Sequence, residues 1–335
     1  MTKWYTEKGK ENDVVLSTCV NLMRNLDDYP FPEKLRREEM EQVGNLVSDI
    51  ILANNEYALS RVDVEALTPS QTVSLAERYL ISAEFASNTK GRGLFLSEDE
   101  SISIMLCEED HIRIQSISSG LDFDKTYETV SRLDSVIDSN VVYAFDERIG
   151  YLTQNPTNLG TGMRSGVILH LPALTLTGSM SRLVQTVSKL GLNLKSCYSN
   201  GISPVGSIYR LSNQVTLGIS ERAALSNLSS IAMQLASQER QAREIVISDD
   251  RYIDKIWRSY GILQTAHMMK SKELMELISF VRLGSACGML SVDLSIIDEL
   301  MTDMQPATIN ASCGRDLTVN ERDILRARLV KEKIK

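Results

Sequence analysis

Apolar side chains recur at intervals of three and four along residues 40–51, where Met40, Val43, Val47, Ile50 and Ile51 stand in a charged background. That spacing predicts an amphipathic helix. A second helix is expected around Ser70–Ala86, opened by Thr68-Pro69-Ser70, with Leu75, Tyr79, Leu80 and Ala83 along one side. Upstream, residues 1–35 read as extended: Asp13–Leu16 form a short apolar run, and the prolines of Tyr29-Pro30-Phe31-Pro32 forbid a helix. From Gly93 to Val142 the period shortens. Phe95-Leu96, Ile102-Ser103-Ile104-Met105 and Ile112-Arg113-Ile114-Gln115 alternate or cluster as strands do, separated by acidic turns. Val167–Leu171 is a further strand ended by Pro172, Ser179–Leu190 a helix stopped by Gly191, and Ser207–Leu211 another strand before Gly218. Residues 221–335 read as helical almost throughout, with Pro306 the one proline. The pattern predicts an α+β chain, with a mixed sheet-and-helix domain at 1–240 and an all-α domain at 241–335.

Composition narrows the function classes. A formal net charge of −8 disfavours nonspecific binding to nucleic acid or to an anionic membrane. No stretch reaches 18 apolar residues, and the first residues lack the apolar core of a secretory signal. Cys19, Cys107, Cys197, Cys287 and Cys313 are odd in number and contain no CxxC pair, which argues against a disulfide framework or zinc ribbon and suits a reducing compartment. A cytoplasmic protein is expected.

Three segments carry candidate chemistry. Asn155-Pro156-Thr157-Asn158-Leu159-Gly160-Thr161-Gly162-Met163-Arg164 is a Gly/Asn/Thr loop running into a strand. Backbone N–H groups and a fixed guanidinium there can hold an anion. The same composition also describes an ordinary connecting loop, and no Walker lysine follows. Cys107-Glu108-Glu109-Asp110-His111-Ile112-Arg113 either binds a cation or guanidinium group or is a solvated acidic turn. His111 reads as structural, and His170 and His267 offer no metal spacing with it. In Glu321-Arg322-Asp323-Ile324-Leu325-Arg326-Ala327 the two arginines stand four apart on one helical face. That is a charged surface or an anion site.

Taken together and in order, these blocks resemble the ATP:guanidino phosphotransferases, and specifically the bacterial protein-arginine kinases. The resemblance also covers Asp13–Pro32, Ser97–Gln115, Tyr143–Leu174 (with Asp146–Thr153 inside it), Val205–Gly218, Trp257–Leu263 and Glu321–Glu332. The helical tail marks the protein-arginine kinase branch. The resemblance implies a large antiparallel sheet flanked by helices, followed by a helical C-terminal domain. It implies transfer of the ATP γ-phosphate, with Mg²⁺, to a protein arginine side chain. Such transfer is mostly alignment and charge neutralisation. It implies Glu109 as the catalytic carboxylate. Ser17, Thr18, Tyr79, Arg113, Arg164, Ser165, Gly166 and Lys195 fall to the nucleotide, and Arg322, Asp323, Arg326 and Ala327 to a separate phosphoarginine site. No metal ligand from the protein is implied. A homodimer, a Clp-type unfoldase and an active kinase paralogue follow as expected partners.

The chain departs from the family pattern in one place above all. Where Ser-Ser/Thr-Arg-x-Arg usually supplies two phosphate-binding arginines, it reads Ser17-Thr18-Cys19-Val20-Asn21. In the substrate loop an arginine is replaced by Lys195 and a glutamate by Asn200; Asn155 replaces a cysteine, and Tyr79 a histidine beside adenine. One transition-state arginine is worth about 10³–10⁵ in rate, and lysine lacks the bidentate fork. No residue near these positions in the sequence compensates. The expectation is a degenerate kinase acting as a phosphoarginine-sensing or regulatory protein. The alternatives are a working kinase with an altered nucleotide site that marks proteins for Clp-type proteolysis, and a scaffold without ligand.

Overall fold

The computed structural model describes residues 2–197 and 204–334. Its ten strands are β1 (Val15–Arg24), β2 (Ser60–Val62), β3 (Gly93–Leu96), β4 (Ile102–Leu106), β5 (Ile112–Ser119), β6 (Phe145–Asp146), β7 (Gly150–Tyr151), β8 (Met163–His170), β9 (Leu192–Ser196) and β10 (Ile208–Asn213). Eight of them form one antiparallel sheet in the order β2-β3-β4-β5-β1-β8-β10-β9, and β6 and β7 pair apart. The long central strand β1 is buried along nearly its whole length, as a strand covered on both faces must be.

Around the sheet lie α1 (Arg37–Ala53), α2 (Pro69–Glu77), α3 (Ala83–Ser87), α4 (Phe123–Asp138), α5 (Pro172–Leu176) and α6 (Met180–Lys189). The single helix expected at Ser70–Ala86 is two. After α2 the chain turns at Tyr79, whose φ is +64°, and α3 begins after Ser82, which accepts from Phe85 N. A tyrosine pays strain for that conformation, and the turn is held because the Tyr79 carbonyl accepts from Gln115 Nε2 at 2.7 Å. Between Gly93 and Val142 the chain is not strand alone. Asp122 caps α4, whose Phe123, Thr126, Val130, Leu133 and Ile137 pack inward at helical spacing. Strand β9 also occupies part of what the sequence presents only as a substrate loop.

The helical C-terminal region consists of α7 (Glu221–Val246), α8 (Asp250–Thr265), α9 (Ser271–Ala286), α10 (Leu294–Asp303), α11 (Pro306–Cys313) and α12 (Val319–Lys333). Helix α7 runs unbroken through residue 240. Sheet and helices share one hydrophobic core, joined by a buried ionic network at the start of β1. Arg282 donates to the carbonyls of Asn12 and Asp13 and to Asp298. Arg243 reaches Asp13 and Glu239, and Glu239 accepts the N–H groups of Ala173 and Leu174 that open α5. Glu77 of α2 likewise caps α11 through the N–H groups of Ala307 and Thr308.

Candidate active site

The turn between β4 and β5 separates its three acids by environment. Cys107 takes a positive φ of 56°, and the turn closes through Cys107 N to the His111 carbonyl at 2.9 Å. Glu109 is exposed, Glu108 lies against Ser82 and Arg113, and Asp110 is buried. Asp110 Oδ1 accepts from Asn25 Nδ2 at 2.6 Å and Gln154 N at 2.9 Å, while its Oδ2 has no partner. Burial pushes its pKa from 3.8 up to about 6, against those two hydrogen bonds. His111 serves the fold: its Nδ1 accepts from Leu26 N, leaving Nε2 to donate to the Pro30 carbonyl, and burial lowers its pKa.

The Gly/Asn/Thr loop faces this turn. Asn155 Oδ1 accepts from Thr157 N, and its Nδ2 donates to Glu109 Oε1 at 3.1 Å. Gly160, at φ +102°, passes so near β10's exit that an added Cβ would stand 2.3 Å from the Thr216 carbonyl. Arg164 pins the loop. Its Nε donates to Asn158 Oδ1, Nη1 to the carbonyls of Asn213 and Gln214, and Nη2 to the carbonyl of Thr157. Four of its five N–H groups are thus engaged, and burial lowers its pKa against the pull of Glu109. Met23, Glu108, Glu109, Arg113, Asn155 and Arg164 line a cleft of about 280 Å³. The sheet and the loop therefore bring Glu109, Arg113 and Arg164 to one cleft.

Strand register sorts the remaining candidates, because alternate residues share a face. Asn21 pairs with Gln115 and Arg164, Cys19 with Ile117 and Gly166, and Ser17 with Ile168. These lie on one face with Arg113. Thr18 and Ser165 alternate with them and point the other way. Thr18 Oγ1 donates to the Gly120 carbonyl beside α4, and Ser165 Oγ is buried without a partner. The two β1 positions at which the resemblance implies arginine, Cys19 and Asn21, hold neutral side chains. Asn21 Oδ1 takes the Nε of Arg113 at 3.1 Å, and its Nδ2 reaches the Arg164 carbonyl and Cys19 Sγ. Cys19 is covered by Trp4, Tyr5, Ile117 and Tyr79. Ser17 and Tyr79 meet in a separate apolar pocket of about 40 Å³ with Trp4, Tyr5, Ile168 and Ile208. Lys195, exposed on β9, pairs in register with Arg210 of β10, and Arg210 pairs with Ile168. Arg210 thus stands on the candidate face, a cation the sequence reading missed because only strand pairing sets it near β1. Asn200 lies outside the described residues.

The proposed phosphoarginine residues lie on α12. Arg326 is 1% exposed, with Nε on the Met304 carbonyl and Nη1 on the Met269 carbonyl and Asp323 Oδ1. Asp323 and Ala327 are buried as well, and Arg322, half-buried, donates to the Leu317 carbonyl. Among the described residues no group of three or more His, Cys, Asp and Glu side chains could hold a metal ion, and no helix is long and apolar enough to cross a membrane.

An eight-stranded antiparallel sheet flanked by helices, with Glu109, Arg113 and Arg164 around one cleft, agrees with the guanidino-kinase class that the resemblance implies. Residues 42–242 match the family described as ATP:guanido phosphotransferase, C-terminal catalytic domain. The duplicated taurocyamine kinase from Schistosoma mansoni, solved with bound transition state analog components, has a similar fold. Its TM-score is 0.61 at 23% identity, over 70% of this chain and 34% of that one. Residues 249–335 match the Protein-arginine kinase McsB C-terminal domain. The protein-arginine kinase of Caldanaerobacter subterraneus subsp. tengcongensis is 42% identical over 96% of both chains, and that of Halothermothrix orenii is 37% identical over 100% of this chain and 97% of its own. The chain belongs to the protein-arginine kinase family.

Proposed function

We propose that the protein is a protein-arginine kinase homologue whose phosphoryl transfer is severely weakened, and that it acts by binding phosphoarginine or regulating an active kinase. The observation that carries this reading is the neutral pair Cys19 and Asn21 at the centre of the candidate face. The charge of the moving phosphoryl group is there opposed by fewer guanidinium groups, and Arg164 spends four donors on its own loop. Each missing arginine costs about 10³–10⁵ in rate, though such losses do not simply add. Glu109 would still orient a substrate guanidinium, because Asn155 Nδ2 fixes its carboxylate over the cleft. Mg²⁺ would arrive on the phosphates of ATP and supply charge neutralisation there.

A working kinase with an altered nucleotide site is the second reading, favoured by Arg113, Lys195 and Arg210 sharing one face. A homodimer through the helical region, partnership with a Clp-type unfoldase and an active kinase paralogue, and a cytoplasmic location belong to both readings. Calorimetric titration with phosphoarginine tests the first: micromolar binding, weakened by Arg322→Ala, is expected. Absence of phosphoarginine binding together with rapid arginine phosphorylation would overturn it in favour of the second.

A further inference from the structure

Residues 3–6 lie across one end of the candidate face. The 3₁₀ turn Trp4–Thr6 buries both of its rings, Trp4 at 5% exposure and Tyr5 at 7%. They pack with Ile117 on Cys19, beside Tyr79. Between this turn, Ser17, Ile168, Ile208 and the α10 residues Asp298 and Met301 only about 40 Å³ is left open. That is room for at most a few water molecules. Ser17 and Tyr79 are positions that the resemblance gives to a nucleotide, so the protein's own aromatic rings fill that end.

The segment is anchored on one side and clasped on the other. Residues 7–10 are held at the end of β5: Ser119 Oγ donates to the Glu7 carbonyl at 2.7 Å, and Leu121 N donates to the Lys10 carbonyl at 2.8 Å. Gly9 lies so close that an added Cβ would stand 2.1 Å from the Ser119 carbonyl oxygen. Beyond this anchor the ties are few. Trp4 N donates to the Asp99 carbonyl at 3.1 Å, Lys3 Nζ to Glu100 Oε1 at 2.8 Å, and Tyr5 OH to Asp303 Oδ1 at 2.9 Å. Asp99 and Glu100 belong to the β3–β4 turn and Asp303 ends α10, so sheet and helical region hold the turn between them. Trp4 Nε1 and Glu100 Oε2 are buried with no partner. A buried indole N–H ordinarily finds an acceptor, and the hydration lost by both atoms returns when the segment lifts. The rings favour the closed position and these polar atoms oppose it.

We propose that Trp4 and Tyr5 form an autoinhibitory lid, which closes this end of the face and must be displaced by anything that binds there. That a nucleotide is what the lid excludes rests on the family reading; the closure itself does not. Removing the Tyr5 hydrogen bond to a charged acceptor should raise the open fraction about tenfold to a hundredfold. Ligand affinity should rise by the same factor, because only the open form binds.

The test is native-state labelling of the full chain with iodoacetamide, read at each cysteine by peptide mass spectrometry. Cys19, under the lid, is compared with Cys107 in the main core. Cys19 should be alkylated faster, at a rate that changes little in urea below the unfolding transition, whereas Cys107 labelling should rise steeply there. Tyr5→Phe should speed Cys19 labelling and tighten Mg·ADP binding, measured by calorimetry, by one common factor. Equal rates and urea slopes for the two cysteines would mean that the segment leaves only on global unfolding, which overturns the lid. Mg·ADP binding that Tyr5→Phe leaves unchanged overturns it too. If neither protein binds Mg·ADP while Cys19 keeps its fast, urea-insensitive labelling, the lid stands and the family reading of this end of the face falls.

Discussion

Asp110 should make the protein lose stability as pH rises through the weakly acidic range. The carboxyl is 2% exposed beneath the β4–β5 turn, and its Oδ2 has no partner. Its pKa rises from 3.8 to about 6 on folding, which means the native state holds the proton more tightly than the unfolded chain. The stability gained from the protonated form is full below about pH 4 and lost as pH rises through about 6, by about 3 kcal/mol in all. Asp110→Asn removes this titration. Its amide oxygen can still accept from Asn25 and Gln154 N, while its NH₂ group is buried without an acceptor, a pH-independent cost of about 1–3 kcal/mol. Urea unfolding of both proteins between pH 4 and 7 separates the two effects. The variant should be the less stable protein at pH 4, and the gap should close or reverse by pH 7. Other carboxyl groups with raised pKa values, such as Asp298 and Asp303, cancel in the difference. A wild-type-minus-variant difference that stays flat with pH would refute the reasoning.

Two further outcomes follow from buried polar contacts. Glu77→Gln should cost about 1–3 kcal/mol in urea unfolding, because one amide oxygen must replace a carboxylate that accepts from Ala307 N, Thr308 N and Thr308 Oγ1. Arg326→Ala should destabilise by about 3–5 kcal/mol, since it orphans Asp323 and two buried carbonyls. Melting curves should show this before any phosphoarginine assay is read, and the half-exposed Arg322 is the better probe of ligand binding.

The sequence made much of the site legible. Glu109, Arg113 and Arg164 meet because the hairpin and the glycine-rich loop that carry them are local features with clear turn chemistry. The helix α4 was hidden by its Thr, Ser and Val content, which reads as strand although Thr126, Val130, Leu133 and Ile137 keep helical spacing. The break at Tyr79 depends on the distant Gln115 side chain, so no local pattern announces it. Arg210 is the instructive case. It looks like a surface residue of a short strand, and its place in register with Ile168, on the face that carries Ser17 and Cys19, exists only once β8 lies between β1 and β10. Arg326 differs in the opposite sense: a helix-surface spacing conceals a buried guanidinium that donates to the carbonyls of Met269 and Met304.

The central claim is that neutral residues at positions 19 and 21 throttle the chemistry. The most direct measurement is the rate of phosphoarginine formation from γ-labelled Mg·ATP on an unfolded arginine-containing protein, for wild type and for Cys19→Arg/Asn21→Arg. The account predicts a wild-type rate orders of magnitude below the roughly 1–100 s⁻¹ typical of kinases and a large gain in the variant. A wild-type rate within that range, with no gain on restoring the arginines, would contradict it.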